Sequence, residues 1–448
     1  MEIEFIPVGG YGEVGKNMSL LRVGDEAVIL DMGLYIPKVV SFDEEGGHKK
    51  YVSVNQLIDY GIIPDHRVIE KYKHMVKAIV PSHCHLDHAL AVPYLASHYK
   101  APIISNPMTI EIIKTALRDD DIKIPNELKK LNNNSSIKIS KNIEIELINI
   151  THSALQTAIV AIHTPKGTVL YANDFKLDST PVLGQKPNYK RLKQIGNGNV
   201  LAVIVDSIYS KSATKTPSEK VARQMLKDVM LGTENSQNGI IATTFASHIE
   251  RIKSIVDFSL KLNRKPIFLG RSMMKYIEAS EKCGLTKLSS HADIVGYGNM
   301  IKKRLKKFKS QKRDKYTIIC TGGQGEPKAV LTKMLNQTLP FKFEKEDNVL
   351  FSNQTIPVDI NIENRAKVEE RLKQKKVRIF KDLHVSGHVS REDMRDFIKM
   401  TKPRAVIPCQ GDSSMFKSFE TLAEEMNYKP GKDCFNLRNG DKVMLYEN

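Results

Sequence analysis

Three histidines and an aspartate fall within six residues of the segment PSHCHLDHALAVPYL, in the pattern His83-x-His85-x-Asp87-His88. Imidazole and carboxylate suit a borderline divalent cation, and no cluster of thiolates accompanies them, so zinc is the expected metal. Alternate residues of an extended segment face the same way. His83 and His85 can therefore point to one cation, while Asp87 and His88, at the start of a helix, face a second. Unrelated surface histidines at a turn would not account for all four residues together. Two sites need further ligands, and the chain offers His152 in NITHSALQT and Asp174 in YANDFKLD, each where an apolar run gives way to a loop. A lone His or Asp is more often a satisfied polar group. Cys84, between two ligands, points away from them by the same alternation and reads as packing.

A competing motif lies near the start, where Gly10-Tyr11-Gly12-Glu13-Val14-Gly15 matches GxGxxG and Asp31 stands about where a ribose-binding acid would be. Dinucleotide binding requires a helix after the third glycine. KNMSLLRVGDEAVILD instead alternates like a hairpin turning at Gly24-Asp25, which sets the motif aside.

The elements that must hold these residues change in character along the chain. Up to about Ser210 short strands dominate: IEFIPV, NMSLLRV, EAVILDMG, VKAIVPSH, APIIS, IEIELINI, TAIVAIH, GTVLYAND and NVLAVIVDS, with a helix-like ALAVPYLASHY after the histidines. From Thr216 helices and strands alternate, the texture of an α/β insertion. After about Asn353 short strands return as VRIF, HVSG and AVIPCQGD, with helices at 363–374 and 390–400 between them.

At 448 residues, two domains or one with a large insertion are expected. A hydrophobic fraction of 41% and a mean hydropathy of −0.31 are those of an ordinary globular protein. The N-terminal MEIEFIPVGG has no leader-like pattern and no apolar run is long enough to span a bilayer, so a cytoplasmic protein without membrane association is expected. Five scattered cysteines without a CxxC pair exclude a disulfide framework and a thiolate zinc finger. A net charge of +17 points to a polyanionic partner such as nucleic acid, or simply to a lysine-rich proteome. Nine basic residues lie between Lys302 and Lys315, against the single acid Asp314. This run can track a phosphate backbone or be a solvated helix face, with only Phe308 as a stacking ring.

These residues resemble the metallo-β-lactamase superfamily and, within it, the β-CASP nucleases, most closely the ribonuclease J family in its short archaeal form. The resemblance covers nearly the whole chain and is carried by GGYGEVGKNM, Asp31 in VILDMG, the HxHxDH cluster, His152-Ser153, Asp174-Phe175-Lys176, Asp206-Ser207, Gly270-Arg271-Ser272-Met273, TGGQGEP at 321–327 and HVSGHVS at 384–390. It implies an αββα metallo-β-lactamase sandwich at 1–208 and 356–448, with a β-CASP α/β domain inserted at 209–355. Two zinc ions are implied, the first held by His83, His85 and His152, the second by Asp87 and His88, with Asp174 bridging both. Asp31 would orient ligands from behind. The catalytic residues implied are Asp87, Asp206 and His388. A pocket for a 5′-phosphate would comprise Ser207, His384, Ser386 and Gly387. In one place the chain departs from the family. Where a histidine ligand of the second zinc is usual, Pro408-Cys409-Gln410-Gly411-Asp412 places Gln410. An amide oxygen ligates zinc more weakly than imidazole, so the second metal is expected to be loose, exchangeable or completed by water there. Cys409 is the less fitting substitute, since its neighbour is the residue that aligns.

The function implied is a zinc-dependent 5′ to 3′ exoribonuclease on single-stranded RNA with 5′-monophosphate ends, working as a homodimer. Two close cations hold a hydroxide at neutral pH and stabilise the attacking and leaving oxygens of the phosphodiester. A 5′-phosphate pocket one nucleotide from the metals would act as a ruler, releasing mononucleotides. The alternatives are an endonuclease of the RNA 3′-end-processing type, a small-molecule metallohydrolase, against which the charge and the insertion weigh, and a binding protein with a degenerate site, suggested only by Gln410.

Overall fold

The computed structural model describes residues 1–44, 46–234, 236–307, 313–356 and 359–447. The chain forms two compact units, one of residues 1–179, 185–216 and 387–448, the other of 180–184 and 217–386.

The first unit is an αββα sandwich, the fold class expected. One sheet runs in the order Val443–Tyr446, Ile3–Gly9, Met18–Val23, Glu26–Leu30, Val76–Val80, Ile103–Ser105, Leu128–Lys130. The other runs Ala405–Cys409, Val200–Asp206, Gly167–Ala172, Ala158–Thr164, Glu144–Asn149, Ser135–Lys138. Their facing sides share a core that includes Phe5, Val28, Val80, Leu147, Val160, Tyr171 and Ile204. Val200–Asp206 lies between two parallel neighbours and is buried throughout, which is why VLAVIVD is continuously apolar until its last residue. Outer layers close the sandwich. Helix Pro107–Asp119 starts on Asn106, whose side chain accepts from Thr109 N, and helix Ser413–Glu425 starts on Asp412, which accepts from Ser414 N and Met415 N.

The second unit is built on a parallel sheet in the order Asp293–Val295, Lys265–Leu269, Tyr316–Cys320, Ile240–Thr243, Asn348–Phe351, Arg378–Phe380. Helices follow most strands, among them Ile249–Lys261, Arg271–Lys282 and Asp359–Gln374.

Two expected elements differ. ALAVPYLASHY is not one helix but pieces, Leu86–Ala89, Val92–Leu95 and a 3₁₀ turn Ala96–His98. Pro93 has no N–H to carry a helix through, and it opens the second piece. HVSG is not a strand, because its last carbonyl, that of Gly387, is committed to the His152 side chain. Of the basic run, Phe308 to Lys312 lie outside the described residues. Arg304 pairs with Asp293 at 2.6 Å and Arg313 with Asp347, so part of that charge holds the unit together. Among the described residues no helix is long and apolar enough to cross a membrane.

Candidate metal centre

Strands of the first unit from both sheets end around one point. Glu26–Leu30 leads into Asp31, Val76–Val80 into Ser82 and His83, Glu144–Asn149 into His152, and Gly167–Ala172 into Asn173 and Asp174. Val200–Asp206 ends on Asp206, and Ala405–Cys409 leads into Gln410. Asp31 and Gln410 have left-handed backbone, with φ of +60° and +54°, a conformation non-glycine residues keep where their surroundings over-determine it. Position 33 requires glycine, since a Cβ there would lie 1.6 Å from the Asp87 carbonyl oxygen. The loop after Asp31 and the turn carrying Asp87 and His88 thus pack backbone to backbone, with Met32 N donating to His88 O at 2.7 Å.

His83, His85, His152 and Asp174 each bring a ligand atom within 4.8 Å of the others. His83 Nε2 and His152 Nε2 lie 3.0 and 3.1 Å from His85 Nδ1. Three ring nitrogens this close suit a shared cation better than one another's lone pairs. The tautomer of His152 is fixed from behind. Its Nδ1 is 2.7 Å from Gly387 O, which can only accept, so the proton sits on Nδ1 and Nε2 presents a lone pair to the cluster. Asp87, His88 and Asp174 form a second group. His88 Nδ1 faces Asp31 Oδ2 at 2.8 Å, which turns Nε2 toward Asp174 (3.2 Å) and Asp87 (3.4 Å). Asp174 belongs to both groups.

Burial holds His83 and His152 well below the ordinary histidine range and His85 at about 4. All three are neutral at neutral pH, the form that ligates a metal. Burial also opposes a charge on His88, but the carboxylates of Asp174, Asp87 and Asp31 outweigh it and raise its pKa well above the usual value. Carboxylates that attract a proton this strongly would attract a cation too. The donor set is nitrogen and oxygen throughout. Cys409 Sγ faces Asn173 Oδ1 at 3.4 Å, and Cys84 is buried. The residues present fit metal ions bound by imidazole and carboxylate.

A third group joins Asp174 to Asp206 and His388. His388 Nδ1 is 2.7 Å from Asp206 Oδ2. Burial raises Asp206 to about 6 against the pull of His388, while on His388 the carboxylates of Asp174 and Asp206 overcome burial and raise it to about 9. Of the residues expected around a 5′-phosphate, Ser207 donates its hydroxyl to Cys409 O at 2.7 Å. Gly387 approaches Ser153 so closely that a Cβ would lie 2.8 Å from its Oγ. His384 and Ser386 belong to the second unit, where His384 Nδ1 lies 3.4 Å from the guanidinium of Arg251.

Residues 11–213 match the family model of the metallo-beta-lactamase superfamily, 237–370 that of the ribonuclease J beta-CASP domain, and 374–435 that of a Zn-dependent metallo-hydrolase RNA specificity domain. The chain is 43% identical over 441 residues to ribonuclease J of Methanocaldococcus jannaschii, covering 98% of each. It belongs to the ribonuclease J family. Ribonuclease J of Pyrococcus abyssi is 41% identical over 445 residues, 99% of this chain and 97% of that one. A solved structure of a protein of unknown function from Enterococcus faecalis shares the fold, with a TM-score of 0.66 and 17% identity over 99% of this chain and all of that one. As a ribonuclease J family member the chain is a metal-dependent ribonuclease, a hydrolase of phosphodiester bonds whose substrate is RNA.

Sequence reasoning gave no role to Asn17, Tyr171 or Asn173, which stand behind the candidate metal-binding groups of this ribonuclease. Asn17 Nδ2 reaches Asp87 O at 3.1 Å and Tyr171 OH reaches Asp31 Oδ2 at 2.9 Å. The available signal was a tyrosine and an asparagine inside the apolar run VLYAND, where a buried polar group must find a partner.

Proposed function

We propose that this chain degrades single-stranded RNA from the 5′ end toward the 3′ end, with two zinc ions held by His83, His85, His152 and Asp174 and by Asp87, His88 and Asp174. The observation that carries the reading is the position of Asp174, common to both donor groups and to the Asp206–His388 pair. Bound cations would supply Lewis-acid activation of water and neutralise charge on the phosphodiester. The chain's own residues do the rest. Asp31 sets the tautomer of His88, and Gly387 O that of His152. Asp206 holds the imidazolium of His388 by its Nδ1 proton, and His388 gives its other proton to the departing 3′ oxygen. Without that proton an alkoxide would have to leave. Ser207, His384, Ser386 and Gly387 bind the 5′-monophosphate, a role that rests on the resemblance of Asp206-Ser207 and HVSGHVS to family motifs, and assembly into a homodimer rests on the family resemblance alone.

A time course on single-stranded RNA with a labelled 5′-monophosphate, resolved to single nucleotides beside a His85→Ala control, tests this. Labelled mononucleotide as the first product, absent in the control, is expected. Internal fragments first would replace the exonuclease with an endonuclease.

A further inference from the structure

By the resemblance, Gln410 stands where a histidine ligand is usual, so the end of its amide that faces the candidate metal groups decides what it can do there. Oxygen and nitrogen of an amide are told apart by their partners, and here those partners leave no choice. Gly15 N–H, which can only donate, lies 2.6 Å from one end of the Gln410 amide, making that end Oε1. A second chain of bonds gives the same answer from the opposite side. The Asp31 carboxylate takes the proton of Tyr171 OH at 2.9 Å, so the tyrosine oxygen accepts from Asn173 Nδ2 at 2.7 Å. That NH2 also donates to Asn17 Oδ1 at 2.9 Å. The Asn17 NH2 is thereby turned to Asp87 O, again an acceptor only, at 3.1 Å, and to Gln410 Oε1 at 3.1 Å. With its oxygen committed twice, Gln410 presents the two protons of Nε2 to Asp87 Oδ2 at 3.0 Å and Asp174 Oδ1 at 3.3 Å. The side chain is buried, so no exchange with solvent relaxes this arrangement.

We infer that Gln410 is a hydrogen-bond donor that positions the carboxylates of Asp87 and Asp174, not a metal ligand, so that the Asp87–His88–Asp174 group binds its cation much more weakly than the His83–His85–His152–Asp174 group. The inference rests on reading both groups as metal sites. One group offers a cation four protein donors and the other three, and in the second an N–H already occupies a lone pair on each carboxylate. A histidine at 410 would bring a lone pair where glutamine brings a proton. The sequence expectation of a weakly ligating amide oxygen is therefore replaced by an amide that does not ligate at all. The Gly10–Gly15 loop gains a role that its nucleotide-like pattern concealed, since Gly15 N–H is one of the two groups that hold the amide in this sense.

The test is zinc content, not activity. The full-length protein is dialysed against a series of chelator-buffered free Zn2+ concentrations, and bound zinc per chain is measured by elemental analysis, with Tm and circular dichroism recorded at each point. Two classes of site are expected in the wild type, separated by at least roughly 100-fold, the upper end of what partners behind a ligand are worth. Gln410→His is expected to close that gap by tenfold or more without changing the tighter class. Two equally tight zinc ions in the wild type would overturn the inference, and so would a folded Gln410→His variant whose weaker class is unmoved. If Gln410→His does not fold, the wild-type isotherm alone still decides. No zinc bound at any concentration would instead overturn the reading of the groups as metal sites.

Discussion

Removing the imidazole of His388 is the sharpest perturbation of the proposed chemistry. A positioned general acid is worth about 10²–10⁴ in rate, roughly 3–5 kcal/mol of barrier, and His388→Ala is expected to lose turnover on that scale with little change in RNA affinity. Asp206→Asn should fall between that variant and the wild type. It keeps the shape of the side chain but takes away the charge 2.7 Å from His388 Nδ1, while the ring stays packed against His152 with centroids 4.9 Å apart. The assay is single-turnover cleavage of a 5′-monophosphorylated oligonucleotide, compared with one whose first linkage carries sulfur in place of the bridging 3′ oxygen. A thiol has a pKa of about 8.5, so sulfur leaves as a thiolate without an acid. The deficit of His388→Ala, taken relative to wild type on the same substrate, should shrink at least about tenfold with sulfur, since most of the general-acid contribution is no longer called on. An equal deficit on both substrates would refute protonation of the leaving group by His388, and comparable losses in affinity and rate would refute a role confined to the chemical step.

Arg251 is fully buried and its guanidinium binds the buried Glu219 carboxylate, Ser352 and Leu383 O. Arg251→Met takes the guanidinium from that buried carboxylate and leaves it His248 Nε2 at 3.5 Å, at a cost of about 3–5 kcal/mol, which calorimetry should register as a loss of roughly 10 °C in Tm. Adding Glu219→Gln should recover part of it. Burial alone would raise Glu146, but hydrogen bonds from His163 at 2.8 Å and Arg191 at 2.7 Å outweigh it and hold the carboxyl at about 2. Its folded pKa is depressed, so its stabilisation is complete above the unfolded value near 4.5 and is lost as pH falls toward 2. Denaturant titrations of Glu146→Gln should show a stability loss of about 2 kcal/mol at pH 6, after discounting for the partly exposed Arg191, that vanishes near pH 2. An undiminished loss at low pH would mean the effect is packing. Gly387→Ala should push the backbone away from Ser153 and release His152 Nδ1 from its carbonyl, lowering the tighter zinc affinity about 10–100-fold by competition with a chromophoric chelator.

The first four residues of the candidate metal centre were readable because they are local, all within the loop and first helical turn that follow the strand Val76–Val80. His152 and Asp174 were not readable in the same sense. Each is a single polar residue at the end of an apolar run, and their partnership with His83 and His88 comes from the order of strands in two different sheets, which no local pattern encodes. The residue pattern offered them only as candidates, and the resemblance to a family singled them out. The strands of the sandwich were visible in their alternation and apolar runs, but their assembly into two facing sheets was implied only by the resemblance. The helix expected through ALAVPYLASHY failed at Pro93, where apolar spacing persisted but the backbone donor did not. HVSG has strand-like letters around Val385, but its glycine carbonyl is taken by His152.

The glycine loop at Gly10–Gly15 shows why a motif can be rejected for its usual partner and still report real chemistry. Its third glycine has φ of +97°, and the next element is the strand Met18–Val23 instead of the helix that phosphate binding needs. Such a loop presents a backbone N–H that no side chain obstructs, and this much is fixed locally. The acceptor is fixed elsewhere, by the chain's return through Ala405–Cys409 nearly four hundred residues later, which brings a glutamine oxygen to that N–H at 2.6 Å. Had position 410 been histidine, the same donor would face a ring nitrogen or nothing. The loop and the glutamine therefore form one device, and a substitution at 410 that restores a ligand must also leave Gly15 N–H with another acceptor, or with water, in a buried place.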